Sequence, residues 1–120
     1  MSGITIILIR DDPPALRAAL TIVTATAALG QRGRIYLHEA AVAMLCRPIA
    51  DAADADYRAK GLPDLAGLFE VALSMGVTLI ACQTGLALGD HDAEALDPRV
   101  ETGGLVGLIA SLGDDRLIAL

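Results

Sequence analysis

Of the side chains able to act as nucleophiles, Cys82 occupies the most suggestive place. It ends the apolar strand-like run Val77-Thr78-Leu79-Ile80-Ala81 and leads at once into the small and polar residues Gln83, Thr84 and Gly85. In an open α/β sheet the ligand crevice lies beyond the carboxyl ends of the strands. A thiol there stands beside outward-pointing backbone N–H groups, which favour thiolate over thiol. The competing reading is a small core hydrophobe, since free cysteine is among the most buried residue types. His38 ends a second strand-like run, Arg34-Ile35-Tyr36-Leu37, and reaches the same edge. A neutral imidazole could take the Cys82 proton, and an imidazolium could stabilise the thiolate. Alternatively His38 only caps the next helix. Gln83, Thr84, Gly85 and Glu39 complete this rim as candidate binding residues, although Glu39 at a helix start is already satisfied as a dipole partner. Asp11 and Asp12 read as capping residues.

Other chemistry fits less well. Cys46 falls one to two helical turns below the rim, roughly 10 Å away at 1.5 Å per residue. A bridge to Cys82 would need the two Cα atoms within about 7 Å, so Cys46 is expected as a packed core or interface thiol. Two Cys and two His, with His91 beyond the loop, lack the short paired spacings of structural zinc, and no metal or cofactor is expected. Arg10 followed by Asp11-Asp12-Pro13-Pro14 has no glycine to admit an anion to its amides. Gly103-Gly104 reads as a plain turn, with an anion site the weaker alternative.

These residues require a scaffold of alternating strands and helices. Ile4 to Ile9 is short, β-branched and nearly continuous, as suits a strand buried on both faces. The Asp-Asp-Pro-Pro segment opens a helix from Ala15 to Leu29. After the second strand, Arg34 to His38, an alanine-rich helix is expected from Glu39 to Leu45 or Cys46, broken by Arg47-Pro48. Asp51 to Gly61 reads as a mobile or partly helical surface segment. A helix follows from Pro63-Asp64 through Ser74, with apolar residues at helical spacing, then the third strand. A short helix from Asp90 to Leu96, a strand near Arg99 to Glu101, a helix from Gly104 to Leu112 and a strand from Arg116 to Ala119 complete the chain. The expectation is one domain, residues 1–120, in three α/β/α layers around a mainly parallel sheet of about five strands.

Composition narrows the partners. The chain has 120 residues, 54% hydrophobic and 2% aromatic, with a formal net charge of −6. Surface scaling gives roughly 6,100 Å² exposed when folded against roughly 18,000 Å² unfolded, enough for a core without staples. The apolar content argues against disorder. The acidic balance, with scattered arginines, lacks the footprint of phosphate-backbone binding, so nucleic acid is not an expected partner. No apolar run is long enough for a membrane span, and no leader pattern is read at the N-terminus. A cytoplasmic protein with reduced thiols is expected.

The segment Cys82-Gln83-Thr84-Gly85-Leu86-Ala87-Leu88-Gly89 resembles the cysteine loop of the DsrE/DsrF-like family of small sulfur-handling proteins. The first strand, Tyr36-Leu37-His38-Glu39-Ala40-Ala41-Val42, Leu73-Ser74-Met75-Gly76-Val77 and the strand-plus-helix ending agree in order and spacing. The resemblance implies an α/β/α fold, homo- or hetero-oligomeric assembly, and Cys82 as a carrier of persulfide sulfur between partner proteins. One feature departs from it. Relatives often carry a basic residue just before the loop glycine, whereas here Ala87 and Leu88 precede Gly89 and Asp90 follows it. Activation must then rest on backbone dipoles or on a partner's side chain.

Two further classes compete with a sulfur carrier. One is a non-enzymatic subunit or small-ligand-binding module of the same fold, with a structural Cys82. The other is a flavodoxin-like nucleotide binder, which the loops do not fit because they lack a glycine-rich turn and stacking aromatics. The aliphatic surplus, notably on Ala40 to Leu45 and Leu105 to Leu112, points to subunit contacts. A homo-oligomer, trimer or hexamer, is expected, with sulfur donor and acceptor proteins as partners.

Overall fold

The computed structural model describes residues 2–120. Five parallel strands form one sheet: β1 (Ile4–Leu8), β2 (Gly33–Leu37), β3 (Thr78–Cys82), β4 (Glu101–Gly103) and β5 (Arg116–Ala119), in the order β4-β3-β2-β1-β5. This is the α/β/α arrangement with a parallel sheet that the alternating elements predict.

The layers follow from connectivity. Helix α1 (Pro13–Ala28) joins β1 to β2. A 3-10 segment (Glu39–Leu45), α2 (Asp54–Ala59) and α3 (Leu65–Ser74) join β2 to β3. These steps move one way across the sheet. The chain then passes α4 (Gln83–Leu88), a 3-10 turn (Ala93–Ala95) and edge strand β4, and returns through α5 (Leu105–Ala110) to β5 on the opposite edge. Right-handed crossovers running in opposite directions put α1 and α3 on one face and α5 on the other.

The α1 face holds the main core. Leu16, Ala19, Leu20 and Val23 recur at helical spacing and pack with Ile6, Leu8, Ile35, Leu37, Leu79 and Ala81, all fully buried. Each large aliphatic contributes about 1.5–3 kcal/mol on leaving water. On each strand the alternate residues face α5: Thr5, then Arg34 and Tyr36, then Thr78 and Ile80. A six-residue helix covers little of this face, and only Leu108 of α5 is buried.

Several local expectations differ from what is observed. Glu39–Leu45 is a 3-10 segment, not an α-helix. Its buried residues pair at a spacing of three, Ala41 with Met44 and Val42 with Leu45, which is the 3-10 repeat. Asp51 to Gly61 is partly helical, one of the two states expected, and its helix α2 is anchored by a buried Asp54, whose carboxylate accepts the Leu65 N–H at 3.0 Å and the Asp51 N–H at 2.8 Å. Only Ala93–Ala95 of the stretch Asp90 to Leu96 is helical. The fourth strand starts at Glu101 because Asp97 and Arg99 hold the preceding residues in a turn: the Arg99 N–H donates to Asp97 Oδ1 at 2.9 Å, and Val100 N–H to the Asp97 carbonyl at 2.9 Å.

Candidate functional site

Cys82 is the last residue of β3 and the N-cap position of α4. The residues expected to form a loop after it are helical instead, because Leu86, Ala87 and Leu88 are good helix formers that carry Gly85 along. The change has a chemical consequence. The first N–H groups of a helix have no partner within it, so those of Thr84 and Gly85 are left beside the sulfur. A third donor is the Glu39 N–H, and the fourth is the Tyr36 hydroxyl.

Cys82 is 4% exposed, and both cysteines are free. Burial by itself would push the Cys82 thiol up. The Tyr36 hydroxyl and the N–H groups of Glu39, Gly85 and Thr84 outweigh it and hold the thiol below its ordinary value. Cys46 is the contrast: half-buried, its Sγ 3.8 Å from the Val42 carbonyl, it is pushed up by burial. Tyr36 is itself pushed up, first by burial and then by its contact with Cys82. A phenol that keeps its proton remains a donor to the thiolate.

The sulfur's surroundings depend on a close approach between α4 and the 3-10 segment. A Cβ on Gly85 would lie 2.5 Å from the Glu39 carbonyl oxygen and 2.6 Å from Val42 Cγ2. Glu39 takes a positive φ of 44°, uncommon for a side chain of its size. These two positions set the donors on either side of Cys82.

His38 lies at the same edge, next after Tyr36 on that face; the two rings are 6.4 Å apart between centroids. Its Nε2 is 3.8 Å from Glu39 Oε2, and its Nδ1 is buried without a hydrogen-bond partner among the described residues. The groups drawing the Cys82 thiol down are Tyr36 and backbone amides, with His38 not among them. Gln83 and Thr84 are exposed in the first turn of α4, and Thr84 contributes through its backbone. Between α4 and the 3-10 segment a groove of about 390 Å³ is lined by Asp11, Glu39, Ala40, Gly85, Leu88 and His91, among others, and Cys82 is not one of its lining residues. Among the described residues no three His, Cys, Asp or Glu side chains converge as a metal group.

Sequence reasoning had no role for Tyr36 or His91. The signal for Tyr36 was in the strand alternation. It pairs with Ile80 in the parallel register, two residues before Cys82, so both side chains share a face. His91 returns to the groove only because its N–H donates to the Leu86 carbonyl at 2.9 Å, a turn that spacing does not reveal.

No family model and no curated protein matches the sequence. Solved structures match its fold, among them two that do so over the full length of both chains. The ychN protein of E. coli superposes with a TM-score of 0.75 at 19% identity. MTH1491, a protein of unknown function from Methanobacterium thermoautotrophicum, does so with 0.66 at 16% identity. Among the described residues no helix is long and apolar enough to cross a membrane.

Proposed function

We propose that this chain is a sulfur-handling protein of the DsrE/DsrF-like kind, with Cys82 as the persulfide carrier. The observation that carries the reading is the place of Cys82, last residue of β3 and N-cap of α4, where the Tyr36 hydroxyl and the amides of Glu39, Gly85 and Thr84 draw its thiol below the ordinary value. They do the work that a basic loop residue would otherwise do. The Cys82 thiolate attacks the terminal sulfur of a persulfide donor. The donor's S–S bond breaks, the donor leaves as a thiolate, and Cys82 holds the S–S bond. A thiolate on the acceptor then attacks the same terminal sulfur, and Cys82 departs as thiolate. No net oxidation occurs, and the four donors stabilise the charge whenever it returns to the protein.

In this reading His38, at the same sheet edge, is the group that takes the thiol proton. Asp11, Glu39 and His91 around the groove suit a donor or acceptor protein that brings a basic side chain. Assembly is proposed to use the thin α5 face, where Val106 is 87% exposed beside exposed Leu105, Ile109, Leu117 and Leu120. The Ala40 to Leu45 segment has less to offer, since Ala41, Val42, Met44 and Leu45 are buried within the chain. A second copy is the proposed occupant, in a trimer or hexamer.

One observation favours a second reading. A carrier thiol must be reached, and Cys82 is 4% exposed. A non-enzymatic subunit with a structural Cys82 accounts for that burial directly. Incubating reduced protein with cysteine persulfide and measuring its intact mass separates the two. Gain of one sulfur, lost in Cys82→Ser, supports the carrier. Absence of the gain, or a gain that survives the substitution, supports the subunit reading.

A further inference from the structure

We propose that the cavity between β3, β4 and α5 is a binding site for a small carboxylate, held through the guanidinium of Arg34. The cavity measures about 360 Å³, and its lining includes Arg34, Thr78, Ile80, Thr102, Gly107 and Leu108. That volume falls in the range of small-molecule sites.

Arg34 stands on the central strand β2, on the α5 face, two residues before Tyr36, and is 6% exposed. Its Nε donates to Thr5 Oγ1 at 3.0 Å and its Nη1 to Ser111 Oγ at 2.8 Å. The third nitrogen, Nη2, is buried with no hydrogen-bond partner among the described residues. A buried charged donor without an acceptor is costly, and the cost falls when an acceptor arrives.

The charge balance points to the same kind of occupant. Arg34 and Arg32 share one carboxylate, that of Asp115. Its Oδ2 accepts from Arg32 Nε at 2.8 Å and lies 3.7 Å from Arg34 Nε. Asp115 is also taken up by Thr5 Oγ1 at 2.9 Å and the Gly3 N–H at 3.1 Å. Arg32 gives its Nη2 to the Ser111 and Leu112 carbonyls, both at 2.8 Å. Two guanidinium groups against one carboxylate leave one positive charge without a counterion in contact. Glu101 also lines the cavity, is exposed, and makes no ion pair with either arginine among the described residues.

Glu101 and the apolar lining select among anions. In the proposed complex the guanidinium of Arg34 shifts to offer Nη2 to the carboxylate, the hydrocarbon stem lies against Ile80 and Leu108, and the Thr78 hydroxyl on the same sheet face meets the second oxygen. A doubly charged phosphate has no stem to bury and is opposed more strongly by Glu101. This site is independent of the reading of Cys82, which belongs to the carboxyl edge of the sheet.

The test is a titration of 15N-labelled protein with sodium butyrate, sodium acetate and inorganic phosphate, at pH 7 and constant ionic strength, followed by NMR. Butyrate is expected to shift the Arg34 Nε–H and the Thr102, Gly103 and Gly104 amides saturably, severalfold more tightly than acetate. Arg34→Gln is expected to weaken it about tenfold, and Glu101→Gln to tighten it. Gly107→Leu supplies a second variant that leaves Arg34 in place: Gly107 lines the cavity, and a Cβ there meets nothing within 4 Å among the described residues, so the larger side chain is accommodated at the cavity wall without a clash. It should abolish binding in a folded protein. No saturable shift, binding that survives Gly107→Leu, or phosphate binding as tightly as butyrate would each overturn the proposal.

Discussion

Gly85 and Glu39 approach so closely that a single methyl group on Gly85 would lie 2.5 Å from the Glu39 carbonyl oxygen. The contact joins the turn that follows Cys82 to the segment that follows β2. Gly85→Ala is therefore expected to force α4 and the 3-10 segment apart, at a cost of about 1–3 kcal/mol. The same displacement withdraws two of the amide donors from the sulfur, so the Cys82 thiol should rise. A denaturation curve and a thiol alkylation profile against pH on one preparation test both effects. An unshifted profile in a destabilised protein would detach the glycine from the thiol's chemistry.

Tyr36→Phe removes a hydroxyl and leaves the ring in the core. The thiolate loses one charge-assisted hydrogen bond, so its population at neutral pH is expected to fall about tenfold. The rate of alkylation of Cys82 by iodoacetamide reports this, with Cys46 in the same molecule as the reference. Equal rates for the parent protein and Tyr36→Phe would remove Tyr36 from the site.

Those two residues illustrate what could and could not be read from the amino-acid order. Alternation and terminal residues locate β1, β2, β3 and β5 to within one residue and put β4 two residues early, and they bring Cys82 and His38 to one sheet edge. Helical conformation after Cys82 was not legible, because a glycine among small polar residues reads as a turn until its neighbour across the gap is known. The Glu39 segment was misread for a related reason. Seven residues rich in alanine suit an α-helix, yet packing of α4 against them favours the tighter 3-10 winding with its spacing of three. Both errors come from contacts between segments more than forty residues apart.

Asp115 sets an acid limit on the fold. Burial raises its carboxyl, but hydrogen bonds from Arg32 and Thr5 and the charges of Arg32 and Arg34 prevail and hold it below the ordinary range. A depressed carboxyl stabilises the fold fully above its unfolded value of about 3.9, and this contribution is lost as the pH falls through the folded value. Asp115→Asn should cost about 2–3 kcal/mol at pH 7 by leaving two guanidinium groups without their carboxylate. Urea midpoints measured between pH 7 and pH 2 should converge for the parent and the variant at the acid end. A constant difference would show that the charge is not the cause.

Asp54, which lines neither cavity, makes a corresponding prediction. It accepts the Leu65 and Asp51 amides and lies 3.6 Å from Arg17, whose guanidinium stacks 3.5 Å over the Tyr57 ring. Asp54→Ala leaves two amides without an acceptor and Arg17 without its carboxylate, an expected loss of about 2–4 kcal/mol. The Cys82 alkylation profile should not change, because the damage is confined to α1, α2 and the start of α3. A shifted profile would mean that the Asp54 cluster and the Cys82 site communicate.

The return of the chain from β4 across the sheet to β5 places both edges of the sheet in its last twenty residues. Neither edge strand is long, and the helix between them buries one leucine. Such a segment is suited to open as one cooperative unit below the global unfolding free energy. Amides of β4 and β5 should then exchange with solvent deuterium together and earlier than those of β1, β2 and β3. Because Ser111 and Asp115 travel with that unit, each opening would also strip Arg34 of its hydroxyl and carboxylate neighbours, and a ligand on Arg34 would act as a latch on the carboxyl-terminal sixth of the protein.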